Sequence, residues 1–198
     1  MLKKSFVVLR VLLLAVTTLA GCGQKPAEEG GEQPQPESPE ATEKILRVGV
    51  MSNPPKLDPV FATDTSSARV IYQIFETLVD YDNDGNVQPL LAESWDISDD
   101  GLEYIFHLRK GVKFHKSIEG KLTENGGREV TADDWVWSFN YILNPDTNSP
   151  RAYFLDMIKG YKDYEDKKTE QIAGISKVDD YTIKMELEYP FAPFLSIL

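Results

Sequence analysis

Residues 72–115 read YQIFETLVDYDNDGNVQPLLAESWDISDDGLEYIFHLRKGVKFH, and the second half of this stretch decides the fold. Two segments, 94–98 and 103–109, flank Asp99-Asp100-Gly101, a sequence typical of a tight turn. In the second segment apolar side chains recur at every other residue, which is the period of a strand with one buried face. That inward set is Tyr104, Phe106 and Leu108. The stretch therefore predicts a β-hairpin with one apolar face.

Three further segments are predicted to be strands. Thr182 to Glu188 alternates in the same way and follows a turn at Asp179-Asp180. A short strand, Leu78 to Tyr81, leads into a turn, and Ile45 to Met51 (ILRVGVM) is predicted to be a buried strand that starts the fold. Residues 116–128 are polar and glycine-rich, and we expect a loop there.

Helices are predicted between these strands. Thr65 or a neighbouring serine is expected to cap a helix that runs to about Leu78. Its apolar stripe consists of Val70, Ile71, Ile74, Phe75 and Leu78. Thr131, with Asp133 and Asp134, opens a second helix, because a hydroxyl and early acids satisfy the free amides of a first turn. Asn144-Pro145 ends it, and one or two helices follow over 153–164. The class is α/β with a mixed sheet.

The beginning of the chain predicts export. Lys3 and Lys4 precede a mostly apolar run, Phe6 to Ala20, which is short for a membrane span of about 20 residues. Leu19-Ala20-Gly21-Cys22 follows, and it resembles the lipobox of bacterial lipoproteins. Residues 1–21 are therefore predicted to be a lipoprotein signal peptide, with Cys22 as the lipidated residue; the alternative is an ordinary signal peptide with an incidental cysteine.

A tether is predicted after the cysteine. Residues 24–44 contain four prolines and six glutamates, with Ala27 and Ala41 as the only apolar side chains. Such a segment buries too little apolar surface to offset its chain entropy, so 22–44 is predicted to be a lipidated cysteine with a disordered tether.

Charge and cysteine content exclude several classes. The chain carries 21 basic and 32 acidic residues, a net charge of −11, which repels nucleic acid and anionic lipid headgroups. The single cysteine excludes an intramolecular disulfide. No nucleophile elbow, phosphate loop or dinucleotide fingerprint is present, so we expect neither an enzyme nor a cofactor.

The stretch 72–115 resembles the characteristic region of the family 5 solute-binding proteins, the extracytoplasmic receptors of oligopeptide, dipeptide and nickel ABC importers. Two other motifs carry the resemblance: Leu57-Asp58-Pro59, and the helix from Thr131-Ala132-Asp133-Asp134 to Trp137-Ser138-Phe139. The resemblance covers residues 45–198, although family members are much longer.

The resemblance implies a periplasmic-binding-protein-like (type II) clam-shell, incomplete in this chain. Residues 45–75 would start lobe I, and 76–198 would form most of the added domain of this family. The uncapped apolar run Pro193–Leu198 is interpreted as an element interrupted by truncation. Ligands would lie in a cleft between lobes, and lobe closure would present the ligand to the permease.

Ligand-binding residues are implied by the same resemblance. The loop before the first helix lines the cleft in peptide binders, and Arg151 falls where they often place an aromatic side chain. The candidates are Thr63, Asp64, Thr65, Ser66 and Arg151, with Asn53 and Ser52, which follow the first predicted strand, as weaker ones. For each of them, loop capping or a plain surface position is the alternative interpretation.

Three other groups of residues resemble parts of a binding site. His107 and His115, with Glu103, lack the two-histidine spacing of a metal site on one helix face, so solvated histidines are expected. Asp82-Asn83-Asp84-Gly85 has its glycine at the wrong place for a calcium loop and is interpreted as a turn. Helical spacing of Trp135, Trp137 and Phe139 favours a core position for at least part of this cluster over a sugar platform.

The function expected is therefore peptide capture for import, without catalysis, by a lipid-anchored extracytoplasmic monomer that serves ABC permease subunits. The alternatives are a receptor for another cleft ligand (a nickel chelate, a sugar or a haem), a surface adhesin or chaperone-type lipoprotein, and a non-functional gene fragment.

Overall fold

A computed structural model describes residues 45–198. The signal peptide, Cys22 and the tether predicted over 1–44 lie outside the described residues. The strands are β1 (Val79–Tyr81), β2 (Val87–Pro89), β3 (Ala92–Ile97), β4 (Glu103–Leu108), β5 (Ser117–Ile118), β6 (Lys121–Leu122), β7 (Ile175–Asp179) and β8 (Thr182–Glu186). The helices are α1 (Thr65–Ile71), α2 (Ala132–Leu143) and α3 (Tyr161–Glu165), with 3₁₀ turns at Ala152–Leu155 and Phe194–Ile197.

The predicted hairpin is confirmed as β3 and β4. Trp95 lies opposite Phe106 in an antiparallel ladder. The turn closes with a bond from the Gly101 amide to the Ser98 carbonyl, 2.8 Å, and Gly101 has φ +69°. That left-handed conformation is one that glycine adopts without steric cost, which explains the Asp-Asp-Gly sequence.

The main sheet has four strands in the order β3-β4-β8-β7. Every pair of adjacent strands in this sheet is antiparallel, and so are the two-stranded sheets β1-β2 and β5-β6. A sheet with both orientations was expected, and that detail is wrong for the described residues. The α/β class itself is confirmed.

The hydrophobic core lies on one face of this sheet. Alternate residues of β4 and β8 are buried there, as their period predicts. Phe194, from the last 3₁₀ turn, covers Tyr104 with its ring centroid 4.7 Å away. The opposite face is polar, and Lys184 lies there between Glu103 (3.1 Å) and Glu186 (3.3 Å).

Helix α2 begins as the sequence predicts. The Asp134 carboxylate accepts a hydrogen bond from the Thr131 amide at 2.9 Å, which is half of a capping box. Arg128 donates to the same carboxylate at 2.8 Å. Burial acts to raise the pKa of Asp134, but the hydrogen bonds from Arg128 and Thr131 outweigh it and lower the pKa below its ordinary value. The helix ends at Leu143 because Asn144, which precedes Pro145, is held in extended conformation.

Four predictions on local structure are corrected. Ile45–Met51 forms no strand and is exposed, since it does not pair with either edge of the main sheet, β3 or β7. The first helix stops at Ile71 instead of continuing to Leu78, since the next amides turn back on Val70 and Ile71. Its N-cap is Asp64, not Thr65 or a serine. The loop predicted over 116–128 contains the small hairpin β5-β6.

No helix within residues 45–198 combines the length and the hydropathy that crossing a bilayer requires.

Candidate functional site

The segment that leads into α1 is built around two aspartates. Asp58 organises the first turn: its carbonyl accepts from the amides of Phe61 and Ala62, both at 3.1 Å, and its Oδ1 accepts from the Val60 amide at 2.9 Å. This local bonding gives the Leu-Asp-Pro sequence a structural role, because an aspartate side chain can mimic a turn of backbone.

Asp64 begins the helix. Its Oδ1 accepts from the amides of Ser66 at 3.0 Å and Ser67 at 2.9 Å, two groups that have no partner inside a helix. Hydrogen bonds from Ser67, by its hydroxyl and then its amide, lower the pKa of the Asp64 carboxyl below its ordinary value. Asp64 is therefore an ionised helix cap.

The other candidates of this loop are at the surface. Thr63 and Thr65 are exposed, one on each side of the cap, and Asn53 is exposed as well. The Ser52 and Ser66 hydroxyls form a hydrogen bond of 2.7 Å, and the Lys56 amide donates to the Ser67 hydroxyl at 3.3 Å. These two bonds bring the segment after Met51 against the start of α1.

Arg151 also reaches this loop. Its Nε donates to the Ala62 carbonyl at 2.8 Å, directly before Thr63, and its guanidinium lies 5.7 Å from the centroid of the Phe154 ring. Ser149, which the sequence interpretation did not single out, donates from its hydroxyl to the Val60 carbonyl at 2.7 Å. The structure thus brings Arg151 and the 63–66 loop together through the backbone of residues 60–62.

A groove lies beside these residues, with a volume of about 490 Å³. It is bordered by α1, by β1 and by the last residues of the chain. Its polar lining includes Thr77, Asp80, Arg151 and Ser196, and most of the remaining lining is apolar. Thr63 and Thr65 are not among its lining residues.

The two histidines lie in different parts of the structure and do not form a common site. His107 Nε2 pairs with Asp96 at 2.9 Å on the polar face of the main sheet, and Glu103 bonds to Lys184 instead. His115 is exposed in the loop that follows β4. Within residues 45–198, no group of three or more histidine, cysteine, aspartate or glutamate side chains is arranged to hold a metal ion.

The turn at Asp82 is confirmed as a turn. Its carboxylate accepts from the amides of Asp84 at 2.9 Å and Asn86 at 2.8 Å, and from the Gln88 side chain at 3.2 Å. With its oxygens used in this way, Asp82 closes the β1-β2 hairpin.

The tryptophan cluster divides between core and surface. Trp135 and Phe139 pack against the core, with their ring centroids 6.2 Å apart. Trp137 is 65% exposed and stacks on Tyr141, whose ring lies 5.0 Å away at an interplanar angle of 8°.

Comparison with known proteins identifies the family. The family model "Bacterial extracellular solute-binding proteins, family 5 Middle" matches residues 86–198, more than half of the chain. The chain is 32% identical over 164 residues to the probable deoxycholate-binding periplasmic protein YgiS of Escherichia coli, covering 81% of this chain and 29% of YgiS. It is 29% identical over 197 residues to the oligopeptide-binding protein OppA of Bacillus subtilis, covering 99% of this chain and 34% of OppA.

Solved structures agree with this assignment. The fold matches the crystal structure of Haemophilus influenzae OppA in complex with the peptide RPPGFSPFR, with a TM-score of 0.60 and 32% identity. That match covers 71% of this chain and 26% of OppA. The chain thus spans about a third or less of the length of these relatives. Family 5 proteins bind solutes and are not enzymes, and this chain, with its α/β fold, belongs to the family 5 bacterial extracellular solute-binding proteins.

Proposed function

We propose that this protein captures peptides outside the cytoplasm for import by an ABC transporter. The observation that carries the proposal is the match to oligopeptide-binding proteins in both sequence and fold, including one solved with a nine-residue peptide. Residues 45–75 belong, in this proposal, to lobe I, and 76–198 to the added domain.

The ligand is expected to contact the exposed side chains of residues 63–66, which span the N-cap and the first turn of α1. Thr63 and Thr65 carry hydroxyls that no described residue engages, so they can bond to a peptide backbone. The Asp64 carboxylate is engaged in the helix cap and the Ser66 hydroxyl in a hydrogen bond with Ser52. These two residues therefore contribute mainly to the conformation of the segment. Asn53 and the terminal nitrogens of Arg151 remain candidates, Arg151 for a carboxylate.

The polypeptide is proposed to be held at the membrane by lipid on Cys22. A diacylated or triacylated cysteine binds a bilayer strongly, since each buried methylene contributes about 0.8 kcal/mol. The tether over 22–44 would then allow the folded part to reach the permease.

The function is tested by binding measurements on the full polypeptide expressed from residue 23 onward. Thermal shift and calorimetry against pools of di- to nonapeptides should give saturable binding. Thr63→Ala and Thr65→Ala should weaken it without lowering the melting temperature, whereas Thr169→Ala, at an exposed threonine elsewhere, should not. If no peptide pool shifts the melting temperature, the proposal is wrong.

A second candidate is a different cleft ligand. It is favoured by the similarity to YgiS, which is described as a probable deoxycholate-binding protein. Deoxycholate, haem, nickel chelates and sugars therefore belong in the same screen, and saturable binding of one of them with no response to peptide would establish this candidate instead.

A further inference from the structure

One tripeptide, Ser149-Pro150-Arg151, holds two carbonyl groups of a turn that lies 89 residues earlier in the chain. The Ser149 hydroxyl donates to the Val60 carbonyl at 2.7 Å, and Arg151 Nε donates to the Ala62 carbonyl at 2.8 Å. Both bonds are partly buried. They are side-chain bonds to backbone, so they fix the path of the main chain at residues 60–62 whatever side chains these residues carry.

The donor side of this contact is rigid. Pro150 has a fixed φ and restricts the residue before it, so Ser149 has little backbone freedom. The Ser149 oxygen also accepts a hydrogen bond from the Arg151 amide at 3.1 Å. The single hydroxyl proton of Ser149 is donated to the Val60 carbonyl, while its oxygen accepts from the Arg151 amide. Because this second bond links Ser149 to Arg151, the two residues that bond to the 60–62 turn are oriented together.

The acceptor side is rigid as well, and it leads directly into the candidate ligand loop. Asp58 closes the turn through the amides of residues 60–62, and Ala62 is only 4% exposed. Thr63 follows Ala62 immediately, and Asp64 then caps α1. Residues 63–66 are thus held before and after by hydrogen bonds, and the bonds from Ser149 and Arg151 come from a part of the chain 89 residues away.

We propose that Ser149 and Arg151 act as a clamp, a pair of positioning residues that hold residues 63–66 in the conformation in which they bind ligand. The inference rests on the proposed function of this loop. A loop already ordered before binding loses less conformational entropy when ligand arrives, so the clamp raises affinity without the Ser149 side chain touching the ligand.

The test compares Ser149→Ala with Ser149→Thr, which keeps the hydroxyl, and with Ser138→Ala, which removes an exposed hydroxyl on α2. Amide hydrogen exchange of residues 58–67 is measured first, on the ligand-free full polypeptide from residue 23 onward. Ser149→Ala should raise exchange in this segment alone, by about tenfold, the factor that corresponds to one hydrogen bond of about 1.4 kcal/mol.

Peptide affinity is measured next by calorimetry on the same variants, with the best peptide from the binding screen. Ser149→Ala should weaken binding by about three- to tenfold, because the ordering of the loop is then left to the ligand. Ser149→Thr should behave as the wild type, and Ser138→Ala should change neither measurement. Arg151→Lys, which keeps the charge but loses the Nε donor, should raise exchange at residues 58–67 and serves as the second variant if Ser149→Ala does not fold.

Each outcome decides a definite point. Unchanged exchange in Ser149→Ala, or in Arg151→Lys where that variant is the one available, overturns the clamp. Raised exchange with unchanged peptide affinity overturns its positioning role. If the wild type binds no peptide, the proposed function fails and the positioning role with it, while the exchange data on the ligand-free protein still show whether the clamp orders the loop.

Discussion

Gly174 occupies a junction of three backbone segments, and replacing it by alanine should destabilise the fold severely. Its amide donates to the Lys159 carbonyl at 2.8 Å, its carbonyl accepts from the Glu186 amide at 2.7 Å, and the Lys159 amide donates to the Glu186 carbonyl at 2.9 Å. A Cβ placed on Gly174 would lie 2.7 Å from the Glu186 oxygen and 2.8 Å from both the nitrogen and the oxygen of Lys159. All three obstacles are backbone atoms, so no side-chain rotation can relieve the clash.

The expected loss follows from these contacts. Overpacking alone costs about 1–3 kcal/mol, and each backbone hydrogen bond lost at the junction costs a further 0.5–1.5 kcal/mol or so. We therefore expect Gly174→Ala to lower the free energy of unfolding by about 3–5 kcal/mol. That is a large part of the total stability of a typical domain, about 5–15 kcal/mol.

The assay is urea unfolding of the polypeptide expressed from residue 23 onward, monitored by tryptophan fluorescence and by circular dichroism. Gly85→Ala is the control, since Gly85 has φ +82° but open space around it, and only the conformational cost of about 1 kcal/mol should appear. A Gly174→Ala protein within about 1 kcal/mol of the wild type would show that the junction relaxes freely, and would refute the reasoning.

Three further predictions concern stability and anchoring. In the folded protein the pKa of Asp134 lies below its ordinary value of 3.8, so its contribution to stability is complete above pH 3.8 and is lost as the pH falls through the folded pKa. Asp134→Asn should therefore make the free energy of unfolding fall less steeply with decreasing pH in the acid range. An unchanged dependence on pH would contradict this. Phe106→Ala, in the fully buried centre of β4, should cost about 3–5 kcal/mol in urea unfolding, whereas Trp137→Ala should cost less than about 1 kcal/mol; equal losses would contradict the assignment of core and surface. Cys22→Ser should move the protein from the membrane to the soluble fraction and abolish labelling by a palmitate analogue, and a variant still labelled would exclude this cysteine as the anchor.

The elements that the sequence predicts well are those whose signals are local. Alternation in β4 and β8 is sufficient to orient their side chains, and the Asp-Asp-Gly turn fixes the β3-β4 hairpin. The start of α2 is predicted because both partners of its cap, Thr131 and Asp134, lie within one turn of helix.

The predictions that failed depend on partners elsewhere in the chain. Ile45–Met51 has the composition of a buried strand, but burial needs a neighbouring edge, and a sequence pattern does not say whether one is present. Strand β7 was not predicted, because as an edge strand it buries only Ile175. The first helix stops at Ile71, short of the predicted end, because Leu78 fits the helical apolar stripe by its spacing but is buried next to β1.

The candidate site shows the same division. The sequence predicts that a helix begins near Thr65, and the contact of residues 63–66 with ligand stays a prediction. Ser149 could not have been found from its neighbours alone, since its partner lies 89 residues away. The only local signal was Ser149-Pro150, a stiff dipeptide next to a candidate residue.

The strand order β3-β4-β8-β7 has a consequence for how the polypeptide acquires its structure. Each hairpin closes over a short turn and can form early in folding. The central β4-β8 pairing, by contrast, joins positions some 80 residues apart, such as Glu103 and Lys184. Closing so long a loop is entropically unfavourable until both hairpins exist, so their docking should limit the folding rate. Until β8 is available to pair with it, β4 has an open edge, and this is the interval in which a holding chaperone would be of most use.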